Sequence, residues 1–429
     1  MEHKDPLDNN IPFDMSLACD NQNINNAVNH LLELPRFKIG RKGAVYLKVV
    51  IANIVLACKR GNEYKVSYHR GNDYYSKIRH NKRENPYGLG RSLVRYIDAL
   101  GSLGLIEQIK GFNDPEGKKS ILSRIIPSQN FVDEVLIPFK LFDVIFQTRK
   151  KHRPVEVRDC EGKIINTYNN LPDFAAMGEK VRAYNSIYEV TDIAYIRPEY
   201  GLIHPEGKTL HRVFKNDLTH LGRFYGAWWQ SKSGEERSNI LINGEETVEL
   251  DYVGNHIGLL YGMAGKVMSP ELRQDPYMVS HPHLRKDIKL CVLMAINNAK
   301  SKSAWLSVNR QMFLKDGQNN ALPFDTFEAF MKCFFDHHKA IEHLFFNPDL
   351  SLKLQYLDSV VTDRVLEEMI VIRGIPTLPI HDSFIVAQRH KDELVAAMRS
   401  AYINAENKII SKGFTSIKNK KEKEVYLFD

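Results

Sequence analysis

The sequence predicts an α+β chain. Two short apolar strands that each carry an aspartate, long amphipathic helices around them, and an N-terminal run of helix, basic helix and β-hairpin support that expectation. The first strand is Thr247-Val248-Glu249-Leu250-Asp251-Tyr252. The second lies within Ile375-Pro376-Thr377-Leu378-Pro379-Ile380-His381-Asp382-Ser383-Phe384-Ile385-Val386, about 130 residues further on. Short apolar runs, each carrying an aspartate, mark both as strands.

Taken in order, residues 1 to 40 are rich in Asp, Asn and Pro and read as an irregular arm. Residues 41–128 form a first domain. Ala44 to Lys59 is an apolar run without Gly or Pro, the pattern of a buried helix. Ten Lys or Arg against three acidic residues follow between Lys59 and Arg95, interleaved with Tyr64, Tyr68, Tyr74, Tyr75 and Tyr87. Leu89 to Leu103 has helical spacing at Leu93, Ile97 and Leu100 and stops at Gly101 and Gly104. Leu105 to Ile109 and Ser120 to Ile126 read as strands about an Asp114-Pro115-Glu116-Gly117 turn. That order is the order of a winged helix, whose second helix enters a DNA groove.

Residues 129–220 read as mixed helices, a connecting or thumb-like region. The remainder, 221–429, is a second folded domain. After strand 247–250, helices are expected at about 255–264, 284–299, along the aromatic face Phe327 to Phe345, at 354–373 and at 391–411. A tail with Lys418, Lys420, Lys421 and Lys423 follows.

Composition narrows the class. Hydrophobic residues make up 43% and charged residues 26%, with a net charge of +7; these values suit an ordinary globular protein. Five scattered cysteines without CxxC spacing argue against a disulfide framework or a zinc ribbon, and a reducing cytoplasm is expected. Cys333, His337, His338 and His343 have no matching Cys/His pair, so zinc is not expected there. No apolar run approaches the length of a membrane span, so a membrane partner is not expected.

Carboxylates at strand ends can share divalent cations, and two such ions are the device by which enzymes join nucleotides. Asp251 and Asp382 are the candidate ligands, with the backbone carbonyl of Tyr252 as a third. Arg285 and Lys289, at i and i+4, would face a triphosphate from one side of a helix.

These residues resemble the palm and fingers of family A DNA polymerases and the single-subunit, phage-type RNA polymerases over about residues 210–390. Val248 to Tyr252 resembles motif A, Arg285-xxx-Lys289 motif B, and Ile380-His381-Asp382-Ser383 motif C. Gly222-Arg223-Phe224-Tyr225 resembles the Gly-Arg-aromatic element that touches template and primer. Gln355 resembles the glutamine at the primer end. The resemblance implies a right-hand palm and fingers, two Mg²⁺ or Mn²⁺ ions, DNA and nucleoside triphosphates as partners, and His381 positioning Asp382 or the primer.

The departures bear on the sugar. Asn297 stands where the family has a tyrosine, and His256 where DNA enzymes have a glutamate and RNA enzymes a small residue. Ser383 matches the RNA branch and Tyr252 the DNA branch. No acidic exonuclease cluster is visible, so proofreading is not expected. Three readings follow. The first is a compact, magnesium-dependent DNA polymerase serving replication of a mobile element. The second is a primase or small RNA polymerase using NTPs. The third is a DNA-binding initiator on a non-catalytic polymerase-like scaffold.

Overall fold

The computed structural model describes residues 10–17, 21–34, 37, 43–61, 64–81, 85–113, 120–144, 146, 153–197, 201–277, 285–297, 327–405, 407–413, 415–421 and 425–426. The expected turn at Asp114–Gly117 lies outside them. The chain is α+β and folds as two compact units: residues 1–152 with 194–207, and residues 153–193 with 208–429.

In the first unit the helix Gly43–Arg60 is buried on nearly every side, as its uninterrupted apolar run dictates. In its last turn Lys59 is fully enclosed and paired with Glu206 at 2.6 Å. Strand Lys65–Tyr68, helix Asn72–Ile78, helix Ser92–Ser102 and strands Ile106–Ile109 and Ser123–Pro127 follow. Ser123–Pro127 pairs antiparallel with both Lys65–Tyr68 and Ile106–Ile109. Helix Ser92–Ser102 turns Leu93, Val94, Ile97 and Leu100 inward and leaves Arg91 and Arg95 exposed.

The segment expected to be an irregular arm is ordered within its described part. Asn10–Pro12 pairs in parallel with Lys65–Tyr68, and Gln22–Glu33 is a helix capped by Asn21. Its buried residues Ile24, Ala27, Val28 and Leu31 follow i, i+3, i+4, i+7, a helical signal hidden among asparagines.

In the second unit, the region expected to hold mixed helices contributes a three-stranded sheet besides the helix Pro172–Val190. His211–Lys215 lies between Val155–Arg158, in parallel, and Asp217–Tyr225, antiparallel. The strands were missed because the middle strand alternates around charged residues, His211-Arg212-Val213-Phe214-Lys215, and so lacks an apolar run. Asp217–Tyr225 packs on the long helix Leu350–Leu366, which continues through a wider i→i+5 turn over Glu367–Ile372.

The other sheet is centred on strand Glu245–Tyr252. Ser383–Ala387 flanks it antiparallel on one side. Ile240–Ile242 and then Ile417–Asn419 flank it on the other. The second aspartate segment is not a single strand. Leu378–Ile380 and Ser383–Ala387 form a hairpin with Ile380 opposite Ser383, so His381-Asp382 is its two-residue tip. His381 takes φ 57°, the left-handed region that such tight hairpins require at their first loop residue and that glycine usually supplies.

Helix Asn255–Met263 follows the first aspartate strand directly. The final helix, expected to run to 411, stops at Ile403, and Asn407 caps a separate short helix, Lys408–Lys412. Gly258 and Gly262 let Asn255–Met263 touch this short helix backbone to backbone: a Cβ on Gly262 would lie 2.0 Å from the Ile409 carbonyl oxygen. No helix among the described residues is long and apolar enough to cross a membrane.

Candidate active site

Adjacent strands bring the two aspartates together. Asp251 lies opposite Ser383, and the Tyr252 N–H points at the Asp382 carbonyl at 3.5 Å. Asp251 thus sits one position from the hairpin tip that carries Asp382. Burial first, and then the neighbouring Asp382, push the Asp251 carboxyl up to about 7, while Lys420 and Lys289 pull it back. Tyr252 is buried with its hydroxyl donating to the Met398 carbonyl at 2.7 Å, so its side chain anchors the strand.

Below Asp251 on the same strand face, Glu249 receives both arms of Arg237, at 2.8 and 2.9 Å. The buried Ser383 hydroxyl, on the residue opposite Asp251, donates to Glu249 at 2.8 Å. Lys420, just past the strand Ile417–Asn419, lies 2.5 Å from Glu249 and 3.6 Å from Asp251.

Arg223 follows a bulge. Leu221 and Gly222 both take positive φ, 66° and 67°, and the ladder slips there. The bulge leaves Arg223 paired with Asp358 at 2.7 Å. Asp358, fully buried on the long helix, also accepts from Asn255 at 2.8 Å, and the Tyr402 hydroxyl donates to Asn255. Burial, opposed by Arg223 and reinforced by Asp382, raises the Asp358 carboxyl to about 7. Arg223 also donates to His256 Nε2 at 3.3 Å. A guanidinium can only donate, so Nε2 is the bare nitrogen and the proton rests on Nδ1. Burial and Arg223 lower His256 to about 4, which keeps it neutral. His381 contacts the Tyr225 ring, and its backbone carbonyl accepts from Thr362 at 2.8 Å.

Arg285 and Lys289 both lie over the ring of Tyr277, at 5.8 and 5.6 Å. Lys289 is exposed and its charge reaches Asp251. Arg285 is held by Asp275 through two contacts, one of 2.9 Å. Asn297 and Gln355 are joined through one hydroxyl: Ser351 donates to Asn297 at 2.5 Å and accepts from Gln355 at 3.0 Å.

The structure therefore gathers Asp251, Tyr252, Asp382, His381, Arg223 and His256 around one strand end, with Lys289 within electrostatic reach. Asn297 and Gln355 form a separate pair, and Arg285 faces Asp275. Sequence reasoning missed Asp358, Lys420, Tyr277 and the bracing of Glu249. Asp358 had a readable signal, an acid on the apolar face marked by Leu354, Leu357, Val361 and Val365. Lys420 had none, being one lysine of several in a tail.

Among the described residues no group of three or more His, Cys, Asp or Glu side chains forms a metal centre. Two carboxylates on neighbouring backbone positions that interact electrostatically, with a strand-end carbonyl, nonetheless fit Mg²⁺, which takes one or two carboxylates and completes its shell with water and substrate phosphate. They are a poor set for a structural zinc. Elsewhere, His338 spends both ring nitrogens on Tyr261, at 3.1 Å, and the Pro276 carbonyl, at 2.9 Å. Trp228 and Trp229 are core residues, and Trp229 donates to the Pro379 carbonyl at 3.2 Å.

No family model matches the chain, and no curated protein matches it. Among solved structures it aligns with the POL domain of Pol1 from M. smegmatis in complex with DNA primer-template and dNTP, at 12% identity and a TM-score of 0.31, covering 88% of this chain and 71% of that one. A likeness so slight carries no weight for fold or function.

Proposed function

We propose that the chain is a template-directed nucleotidyltransferase, read best as a compact DNA polymerase of a mobile element. The observation that carries the reading is the meeting of Asp251 and Asp382 on adjacent strands, the second at a hairpin tip. Such a pair, with the Tyr252 carbonyl, would hold two Mg²⁺ or Mn²⁺ ions. Bound there, the ions would supply Lewis acidity to the attacking hydroxyl and the transferred phosphorus.

The chain's own residues then have separable tasks. Asp251 and Asp382 hold negative charge at one point. Lys289 presents an ammonium toward that point for a triphosphate, and Arg285 joins it once released from Asp275. Arg223, aimed by its bulge and braced by Asp358, meets the template–primer. His256, neutral and oriented by Arg223, stands where the sugar is selected. The Asn297–Ser351–Gln355 chain links the nucleotide side to the primer side.

The first unit is assigned to DNA docking. From Gly43 onward its helix, strand, two further helices and paired strands, with Arg91 exposed just before and Arg95 exposed on the helix Ser92–Ser102, support a winged-helix reading. DNA binding should weaken steeply with salt, because charge neutralisation releases counterions; salt-insensitive binding contradicts the assignment.

The test is primer extension with Mg²⁺ or Mn²⁺, comparing dNTPs with NTPs, with and without primer. Primer-dependent dNTP incorporation supports the polymerase. NTP use without a primer moves the assignment to a primase or small RNA polymerase. DNA binding with no incorporation of either nucleotide leaves the initiator reading.

A further inference from the structure

We infer that Lys420 is a resident cation of the carboxylate site, one that a metal ion must push off Asp251 in order to bind. The inference rests on Asp251 and Asp382 being cation ligands.

The geometry is specific. Strand Ile417–Asn419 pairs with the end of Glu245–Tyr252, with Lys418 opposite Asp251. Just beyond it, the Lys420 N–H donates to the Glu249 carbonyl at 3.0 Å, which fixes where its side chain starts. Its ammonium lies 2.5 Å from Glu249, 3.6 Å from Asp251 and 3.2 Å from the Ser383 oxygen. It therefore stands beside the aspartate proposed to bind metal, one residue past the strand that pairs with it.

Glu249 does not need this lysine for charge balance, since Arg237 already engages both of its oxygens. The second cation on Glu249 instead serves as a hinge. Glu249 and Ser383 hold the ammonium at one end of a short arc, and Asp251 lies at the other. The longer distance to Asp251 marks that contact as the weaker, so it is the one a divalent ion would break while the lysine stays tethered. The device keeps the Asp251 carboxylate compensated before metal arrives, and it lowers metal affinity by competition.

Calorimetric titration of the full chain with Mn²⁺ alone tests the idea, using K420M, K420R and D251N, with circular dichroism as the check on folding. Lys420→Met should bind Mn²⁺ at least about fivefold tighter than the unsubstituted chain, because a cation within 4 Å of the ligand is gone. Lys420→Arg, which keeps the charge, should stay close to the unsubstituted value, and Asp251→Asn should remove the binding. A merely structural lysine would not give this split between Met and Arg. If K420M binds no tighter while D251N still abolishes binding, the inference falls and the metal reading stands. If D251N leaves Mn²⁺ binding unchanged, the metal reading falls and takes the inference with it. Should K420M unfold, K420Q, which shortens the side chain and keeps a polar end beside Glu249, replaces it with the same expected tightening.

Discussion

At the scale of single residues, the two aspartates are where substitution should cost most. Replacing either Asp251 or Asp382 by Asn should cut nucleotide incorporation by roughly a thousandfold or more, since removal of a ligand disables the metal pair. Melting temperatures should change little, because each carboxylate sits where its neighbour repels it. A second residue-scale prediction concerns His338. It is fully buried, bonded at both nitrogens, and lowered to about 4, chiefly by burial. The unfolded chain holds a proton on this ring up to about 6.5. A depressed histidine therefore contributes fully above that pH, and its contribution falls away as pH drops from 6.5 toward 4. The share is at most about 3 kcal/mol. Denaturant titrations of His338→Gln should show a shallower loss of stability across that window, though a part remains, because His256 is lowered in the same direction. An unaltered slope would contradict this.

Elements explain which parts of the site were legible in the sequence. The aspartate strands were readable because a short apolar run is a local signal. That the second segment is a hairpin with a left-handed histidine at its tip was not, since nothing but the pairing of Ile380 with Ser383 forces it. Gly258 and Gly262 illustrate the same limit. Glycine is a poor helix former, yet the fold uses both for the close contact with Lys408–Lys412 and Gly413, a partner no local pattern names. Gly262→Ala should lower stability by about 1–3 kcal/mol, the usual cost of forcing an extra methyl into a packed contact. Thermal melts read this directly, and a neutral result would mean the two helices are not in contact. The cations Arg285 and Lys289 kept their helical spacing, but the holding of Arg285 by Asp275 came from a loop that spacing rules do not reach.

Over the whole molecule, charge and topology divide the work. The mild net charge of +7 says little by itself; its distribution is more telling, with exposed arginines in one unit and the neighbouring Asp251 and Asp382 in the other. Composition placed the chain among globular proteins, and the order of motifs suggested a polymerase. Asp358 and Lys420, which the sequence reading did not find, come from a buried helix face and the residue after the strand Ile417–Asn419. Their roles depend on long-range pairing, which a single sequence does not display. The central claim is that Asp251 and Asp382 together catalyse nucleotide addition, and primer extension measures it most directly. With Mg²⁺ or Mn²⁺, the unsubstituted chain should extend a primer on a template, while D251N and D382N, folded and still binding DNA, should not. Extension by either variant at the unsubstituted rate would contradict the account.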